Sequence, residues 1–313
     1  MTVLDTCTIT NGDVSLKEIE TVGETVYFDM LSKEEIIKVS KDSDAIICNK
    51  AEIDEEIMSA CKNLKFIGLF ATGYNNIDLE AATRHGISVA NVPGYSTDSV
   101  AMLTFAIILE FSTSFTKYNE SVHTGDWMRS KQFSYFNFPI SELAGKTLGI
   151  YGFGNIGKKV AEIGKAFGMR VIAYSKSKKK SDFVEFVSQD DLFFSSDYLS
   201  LHCPLNNETK GIINSRNLSL MKNTAYLINT CRGAVIVEED LVDALNNGII
   251  AGAGIDVLAV EPMKENHPYM EAKNCLITPH VGWAAIEARK RLVSLVAKNV
   301  FEFFEGRPLN IVN

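Results

Sequence analysis

The sequence predicts an α/β protein of two domains, and three observations carry that prediction. At 313 residues it exceeds one average domain. Short apolar, β-branched runs alternate with helical stretches along its length, the pattern of parallel sheets covered by helices. A glycine-rich turn, Gly152-Phe153-Gly154-Asn155-Ile156-Gly157, sits where one such strand passes into a helix.

In chain order, Ser32 with Glu35 three residues on is a capping box for a helix from Lys33. Ala45 to Cys48 and Phe66 to Phe70 read as buried parallel strands, and Asp54 opens a helical run through Ala60 between them. Ile87 to Ala90 is a further short strand, closed by Asn91-Val92-Pro93-Gly94. These elements form a small α/β domain. A long apolar helix is expected from Thr97 to Phe115, followed by an aromatic stretch from His123 to Ile140 that either packs on its own domain or buries against a second subunit. The second strand-and-helix series begins at Lys146: strands Thr147 to Tyr151, Met169 to Tyr174, Tyr198 to Leu201, Ala225 to Ile228 and Gly254 to Val257, with helices Ile156 to Phe167 and Glu238 to Asn246. It reads as a doubly wound parallel sheet. An amphipathic helix from Ala284 to Glu305 stops at Gly306 and Pro308.

Composition narrows the function classes. The net charge of −8 argues against a nucleic-acid partner, which needs a clustered basic face. No apolar run reaches the roughly 18–20 residues that span a bilayer, and the first ten residues lack the basic and apolar regions of a signal peptide. Six dispersed cysteines without a CxxC pair read as free thiols in a reducing, cytoplasmic compartment. His85, His123 and His267 show no ligand spacing, so no metal is expected.

The glycine turn is a dinucleotide site by its context. Gly152 permits the tight turn, Gly154 lets backbone approach a pyrophosphate, and Gly157 lets helix and strand pack closely, with Asn155 and Ile156 opening the helix whose N-terminus favours the anion. The next strand should end on an acid that binds the ribose 2′-hydroxyl of NAD. Here Ser175 and Lys176 stand there, followed by Ser177 and Lys178 to Lys180. A hydroxyl among lysines suits the 2′-phosphate of NADP, or use of both NAD and NADP, better than a carboxylate would; a solvated lysine run is the plainer alternative.

From Leu69 onward the chain resembles the D-isomer-specific 2-hydroxyacid dehydrogenases. The matches run in the family's order: Thr72-Gly73-Tyr74-Asn75-Asn76-Ile77-Asp78, the glycine turn, His202-Cys203-Pro204-Leu205 with Thr209, Asn229-Thr230-Cys231-Arg232-Gly233, Gly254-Ile255-Asp256-Val257, Glu261-Pro262 and Thr278-Pro279-His280. Gly125-Asp126-Trp127, His280-Val281-Gly282-Trp283 and Glu287 to Leu292 are most similar to glycerate dehydrogenases, also called hydroxypyruvate reductases. Met102 departs, standing where many members carry an acid or amide. The resemblance implies two Rossmann-like domains: a doubly wound dinucleotide domain, residues 99–286, inserted into a smaller flavodoxin-like substrate domain, residues 1–98 plus 287–313. It also implies a cleft that closes on cofactor and substrate, and a homodimer.

The chemistry implied is hydride transfer to a small 2-keto acid. His280 is the expected proton donor to the carbonyl oxygen, its ordinary pKa lying near neutrality. Glu261 would fix its tautomer, and the planar fork of Arg232 would hold the substrate's carboxylate and keto oxygens. By resemblance, backbone N–H groups of Thr72 and Gly73 complete carboxylate binding, Asn49, Lys50 and Trp283 line the substrate, and His202, Cys203, Pro204, Thr209, Thr230, Cys231 and Gly282 line the cofactor. Asp256 is expected to hold the nicotinamide carboxamide, or else to cap a loop. Cys203 and Cys231 read as small packing residues without a paired base. A D-lactate or other D-2-hydroxyacid dehydrogenase, and a dinucleotide-sensing corepressor-like protein, are the alternatives the same resemblance admits.

Overall fold

The structure is a computed structural model that describes residues 1–177 and 180–313; Lys178 and Lys179 of the expected lysine run lie outside the described residues. It divides into two compact units, Met1–Ser96 with Ala284–Asn313, and Thr97–Trp283. The divisions fall two and three residues before those expected at 98 and 286.

The first unit carries a parallel five-stranded sheet: β1 (Thr2–Val3), β2 (Val26–Tyr27), β3 (Ala45–Cys48), β4 (Phe66–Leu69) and β5 (Ser88–Ala90), in the order β2-β1-β3-β4-β5. This is the flavodoxin-like order, with its reversal between β1 and β3. β3 and β4 are buried at every residue, as their unbroken apolar runs require. The helix Lys33–Ser40 starts with the expected capping box: Ser32 Oγ accepts from Glu35 N, and the Glu35 carboxylate accepts from Ser32 N at 2.8 Å. Helix Ile286–Phe304 returns to this unit, packing Phe303 against Phe66 with the rings tilted by 35° and donating from Asn299 Nδ2 to Asn91 O at 2.9 Å.

The second unit carries a seven-stranded, wholly parallel sheet: β6 (Thr147–Tyr151), β7 (Arg170–Tyr174), β8 (Glu185–Phe186), β9 (Tyr198–Leu201), β10 (Tyr226–Asn229), β11 (Gly252–Ile255) and β12 (Cys275–Ile277), in the order β12-β11-β10-β9-β6-β7-β8. The winding reverses between β6 and β9, which creates a crevice at their carboxyl ends. Burying Leu148, Ile150, Leu199, Leu201, Leu227 and Ile255 completely stabilises this layer by about 1.5–3 kcal/mol per side chain.

Two expectations need correction. The long apolar helix ends at Thr113; Ser114 adopts φ 50° and a second helix, Phe115–His123, follows. The strand expected at Gly254 to Val257 runs instead from Gly252 to Ile255, so Asp256 stands just beyond its end. Two-residue strands such as β1, β2 and β8 escape the periodic reading because they are too short to show a period. No single helix among the described residues is long and apolar enough to cross a membrane.

Candidate active site

Every expected cofactor or catalytic residue of the second unit follows the carboxyl end of a strand or the turn beyond it. Gly152 follows β6 with φ 99°, a region costly for residues with a Cβ. An added Cβ there would lie 2.6 Å from His202 O, so the turn after β6 rests directly on the segment after β9. Gly157 is closed too: its Cβ would meet Gly152 O at 2.3 Å. Gly154 is the opposite, with nothing within 4 Å of an added Cβ. It precedes the helix Asn155–Ala166, whose first turn has no side-chain cap. Unpaired N–H groups beside open space fit a pyrophosphate.

His202 follows β9. Its Nε2 lies 2.8 Å from Ser200 Oγ, while Nδ1 is buried without a partner among the described residues. Burial pulls its pKa down from 6.5 to about 3, so the ring is neutral. An orphaned donor or acceptor beside the glycine turn is what a site built for a polar cofactor shows. Past β7, Ser175 Oγ lies 3.3 Å from Ser177 Oγ, and Lys176 Nζ pairs with Glu208 at 2.5 Å. Glu208 was not anticipated; it belongs to the turn that Thr209 closes by donating to Pro204 O and accepting from Asn206 N. Thr230 Oγ1 lies 3.3 Å from Thr104 Oγ1.

Past β12, His280 sits at φ 53°, its Nδ1 2.7 Å from Glu261 Oε2. The other carboxylate oxygen of Glu261 accepts from Leu258 N at 3.0 Å, which fixes the carboxylate. Asp256, 2 % exposed, anchors this segment: its carboxylate accepts from Thr278 Oγ1 (2.6 Å), Val281 N (2.9 Å) and Gly282 N (2.9 Å), and its carbonyl accepts from His280 N (2.8 Å). These contacts describe the loop-capping role. Ser99 Oγ donates to Gly282 O, tying the long helix to the same turn.

Past β10, Arg232 is half-buried and its Nη1 donates to Cys231 O at 2.6 Å. Asn229 shapes this turn, donating to Arg232 O and accepting from Cys231 N and Cys231 Sγ. The backbone of Gly233 presses on the backbone of Leu258, where a Cβ would lie 1.8 Å from the carbonyl carbon. The turn bearing Arg232 therefore meets the loop that leads to Glu261. Glu238, also not anticipated, holds that loop by accepting from Ala259 N at 2.9 Å, with His267 Nε2 3.4 Å away. Cys203 is buried in the apolar core of this unit and Cys231 packs against it.

In the first unit, Asp5 organises the turn at the sheet's reversal. Its buried carboxylate accepts from Asn49 N (2.9 Å), Lys50 N (2.6 Å) and Ala51 N (2.6 Å), and its own backbone is left-handed at φ 47°. Burial raises the Asp5 pKa against these bonds, which oppose the rise. No local pattern marks Asp5, since its partners lie more than 40 residues away. Asn49 is 4 % exposed and its amide donates to Thr8 Oγ1 at 2.9 Å. Thr72 Oγ1 donates to Val92 O, and Asn91 donates to Thr72 O, which hold the Thr72-Gly73 turn against β5's exit.

Comparison with known proteins agrees with this geometry. Residues 105–282 match the family described as D-isomer specific 2-hydroxyacid dehydrogenase, NAD binding domain. The hydroxypyruvate reductase of Blautia hydrogenotrophica is 41 % identical over 317 residues, covering 99 % of this chain and 98 % of its own. The glyoxylate reductase of Aeropyrum pernix is 41 % identical over 287 residues, covering 90 % and 86 %. Among solved structures, an acyclic imino acid reductase in complex with NADPH and D-Arg superposes with a TM-score of 0.88 at 31 % identity over the full length of both chains. A wholly parallel sheet with a glycine turn at its reversal, a carboxylate-backed histidine past its last strand and these full-length relatives place the chain in the D-isomer-specific 2-hydroxyacid dehydrogenase family.

Proposed function

We propose that this enzyme reduces hydroxypyruvate or glyoxylate to D-glycerate or glycolate with NAD(P)H, with His280, Glu261 and Arg232 as its catalytic residues. The observation that carries the reading is the 2.7 Å contact between His280 Nδ1 and Glu261 Oε2 at the carboxyl edge of the sheet. The names of relatives that align over nearly the whole chain supply the substrate class.

The nicotinamide supplies a hydride when bound; the side chains handle the proton and the charge. Glu261 accepts the Nδ1–H of His280, which sets the tautomer and leaves Nε2 to face the substrate. In the reducing direction the imidazolium gives its Nε2 proton to the alkoxide forming at the keto carbon, and Glu261 stabilises that cation beforehand. In the oxidising direction neutral Nε2 takes the hydroxyl proton. Arg232 pairs with the carboxylate and polarises the keto oxygen. Thr72 and Gly73, whose N–H groups donate to no acceptor among the described residues, complete carboxylate binding, with Lys50 and Trp283 as neighbours of the substrate. Asp256 Oδ2, which accepts from Gly282 N, would also hold the nicotinamide carboxamide.

Gly152, Gly154, Asn155, Ile156 and Gly157 would hold the cofactor, with His202, Cys203, Pro204, Thr209, Thr230, Cys231 and Gly282 flanking it. With Ser175 and Lys176 where an acid would hold a free ribose, NADPH is the favoured reductant. The enzyme works in the cytoplasm as a homodimer, without nucleic-acid or membrane partners. Exposed Phe133 (92 %), Met128 (87 %) and Phe136 (83 %) form the apolar face that a second copy covers. A sedimentation mass of about 69 kDa, twice 34.6 kDa, supports the dimer, and 34.6 kDa rejects it. The activity is tested by kcat/KM for hydroxypyruvate, glyoxylate, pyruvate and a branched keto acid against NADPH and NADH. Preference for either of the first two supports the proposal, and turnover confined to the others contradicts it.

A further inference from the structure

The backbone of Leu258 and Ala259 is gripped at three points. Leu258 N donates to Glu261 Oε1 at 3.0 Å. The peptide group joining the two residues lies against Gly233, where an added Cβ would stand 2.1 Å from Leu258 O and 2.2 Å from Ala259 N. Ala259 N donates to Glu238 Oε1 at 2.9 Å. Two carboxylates thus hold consecutive N–H groups of one turn, and one of them, Glu261, also makes the 2.7 Å contact to His280 Nδ1. Glu238 is itself fixed. Its side chain is 15 % exposed, and Oε2 lies 3.4 Å from Nε2 of His267, which is 9 % exposed. His267 Nδ1 accepts from Tyr269 N at 3.3 Å, so the neutral ring carries its proton on Nε2, the nitrogen beside Glu238. Helix Glu238–Asn246 holds the same segment at its other end, where Asn246 Oδ1 accepts from Lys273 N at 3.1 Å. Enclosing a carboxylate is costly unless its bonds compensate, and the bond Glu238 makes is to the turn that anchors Glu261.

We propose that Glu238, backed by His267, is a positioning residue for the acid–base pair: its hold on Ala259 N keeps the Leu258–Glu261 turn in place, so that the Glu261 carboxylate stays against His280 Nδ1. This role rests on those proposed for Glu261 and His280. Without Glu238 the turn loses the bond next to the one that anchors Glu261. The carboxylate then drifts from Nδ1, the imidazole loses its fixed orientation, and proton delivery from Nε2 slows. Cofactor binding is spared, because the glycine turn lies past β6, with β9 and β10 between it and β11. Substrate binding is spared as well, because Arg232 keeps its own turn through Asn229. A misplacement of about 1 Å at a reacting group costs on the order of 100-fold in rate. Glu238 acts through one intervening residue, as the carboxylates behind metal-bound histidines do, and their loss costs about 10- to 100-fold.

The experiment compares Glu238→Ala, Glu238→Gln and His267→Asn with wild type by single-turnover oxidation of NADPH with hydroxypyruvate, by steady-state kcat and KM, and by amide hydrogen exchange of peptides covering Leu258 to Glu261. Glu238→Ala should slow the single turnover by about 10- to 100-fold, with the keto-acid KM and the NADPH Kd within about three-fold of wild type. Glu238→Gln keeps an oxygen for Ala259 N and should return the larger part of that rate. His267→Asn keeps an oxygen for Tyr269 N but removes the nitrogen beside Glu238, and should slow the step by a smaller factor; it and Glu238→Gln decide if Glu238→Ala fails to fold. In a Glu261→Gln background, Glu238→Ala should cost less than about two-fold more, because the carboxylate it positions is already gone. Exchange at Leu258 and Ala259 should quicken in Glu238→Ala. A merely structural residue would lower Tm with the single turnover unchanged, or cost the same in both backgrounds; either result, a loss confined to KM, or unchanged exchange overturns the proposal. A wild-type protein inactive on every keto acid would sink the proposed function instead, and amide exchange would still decide whether Glu238 holds the turn.

Discussion

His202 carries a neutral imidazole into the second unit, and the cost appears as pH falls. The unfolded chain takes up a proton at this residue below about pH 6.5, whereas the folded chain refuses it until about pH 3. Stability from this group is therefore whole above pH 6.5 and drains as pH drops through that value toward 3. At pH 5 the unfolded state gains about 2 kcal/mol from the proton, against about 0.2 kcal/mol at pH 7, and both figures hold for any folded value below about 4. We expect urea unfolding at pH 7, 6 and 5 to show wild type losing about 2 kcal/mol more than His202→Asn across that range. Tryptophan fluorescence is the right probe, because Trp127 and Trp283 both lie in the unit that contains His202. Asp5, whose raised pKa acts in the opposite sense, lies in the other unit. Parallel pH profiles for the two proteins would refute the picture of a buried, neutral His202.

Other perturbations test neighbouring parts of the site. Gly157→Ala drives a Cβ to 2.3 Å from Gly152 O, at a packing cost of about 1–3 kcal/mol; NADPH affinity, measured by fluorescence titration, should fall about ten-fold, and an unchanged Kd would contradict the close packing of turn and helix. Asp256→Asn swaps a carboxylate with three donors for an amide that must turn an NH2 toward one of them. With bonds to a charged acceptor contributing about 1.5–3 kcal/mol each, both Tm and kcat should drop, because the same segment carries His280. Glu208→Gln releases Lys176 from its ion pair; the ratio of kcat/KM for NADPH over NADH should rise several-fold, and a ratio that stays put removes Lys176 from cofactor choice.

Much of the sheet framework was legible because its signals are local. β6 reads from Thr147-Leu148-Gly149-Ile150-Tyr151 since an apolar run ends on a glycine turn, and the Ser32–Glu35 box needs only three residues of separation. What escaped depends on residues distant in sequence. Asp5 gathers three N–H groups from a turn more than 40 residues on, and no pattern around Asp5 announces it. Glu238 and Glu208 are ordinary surface acids until the fold brings Ala259 N and Lys176 to them. Asp256 was placed inside a strand because Gly254-Ile255-Asp256-Val257 looks like one, yet its carboxylate is needed one position beyond the last paired residue to hold the turn before His280. The proposed catalytic residues come from the resemblance, which encodes spatial arrangement that a single sequence does not display.

Replacing His280 with asparagine tests the central claim most directly. Single-turnover oxidation of bound NADPH by hydroxypyruvate, followed by absorbance, should slow by about 100- to 10,000-fold, while the NADPH dissociation constant stays within about two-fold of wild type. Hydride transfer at the wild-type rate in that variant would show that another group protonates the substrate.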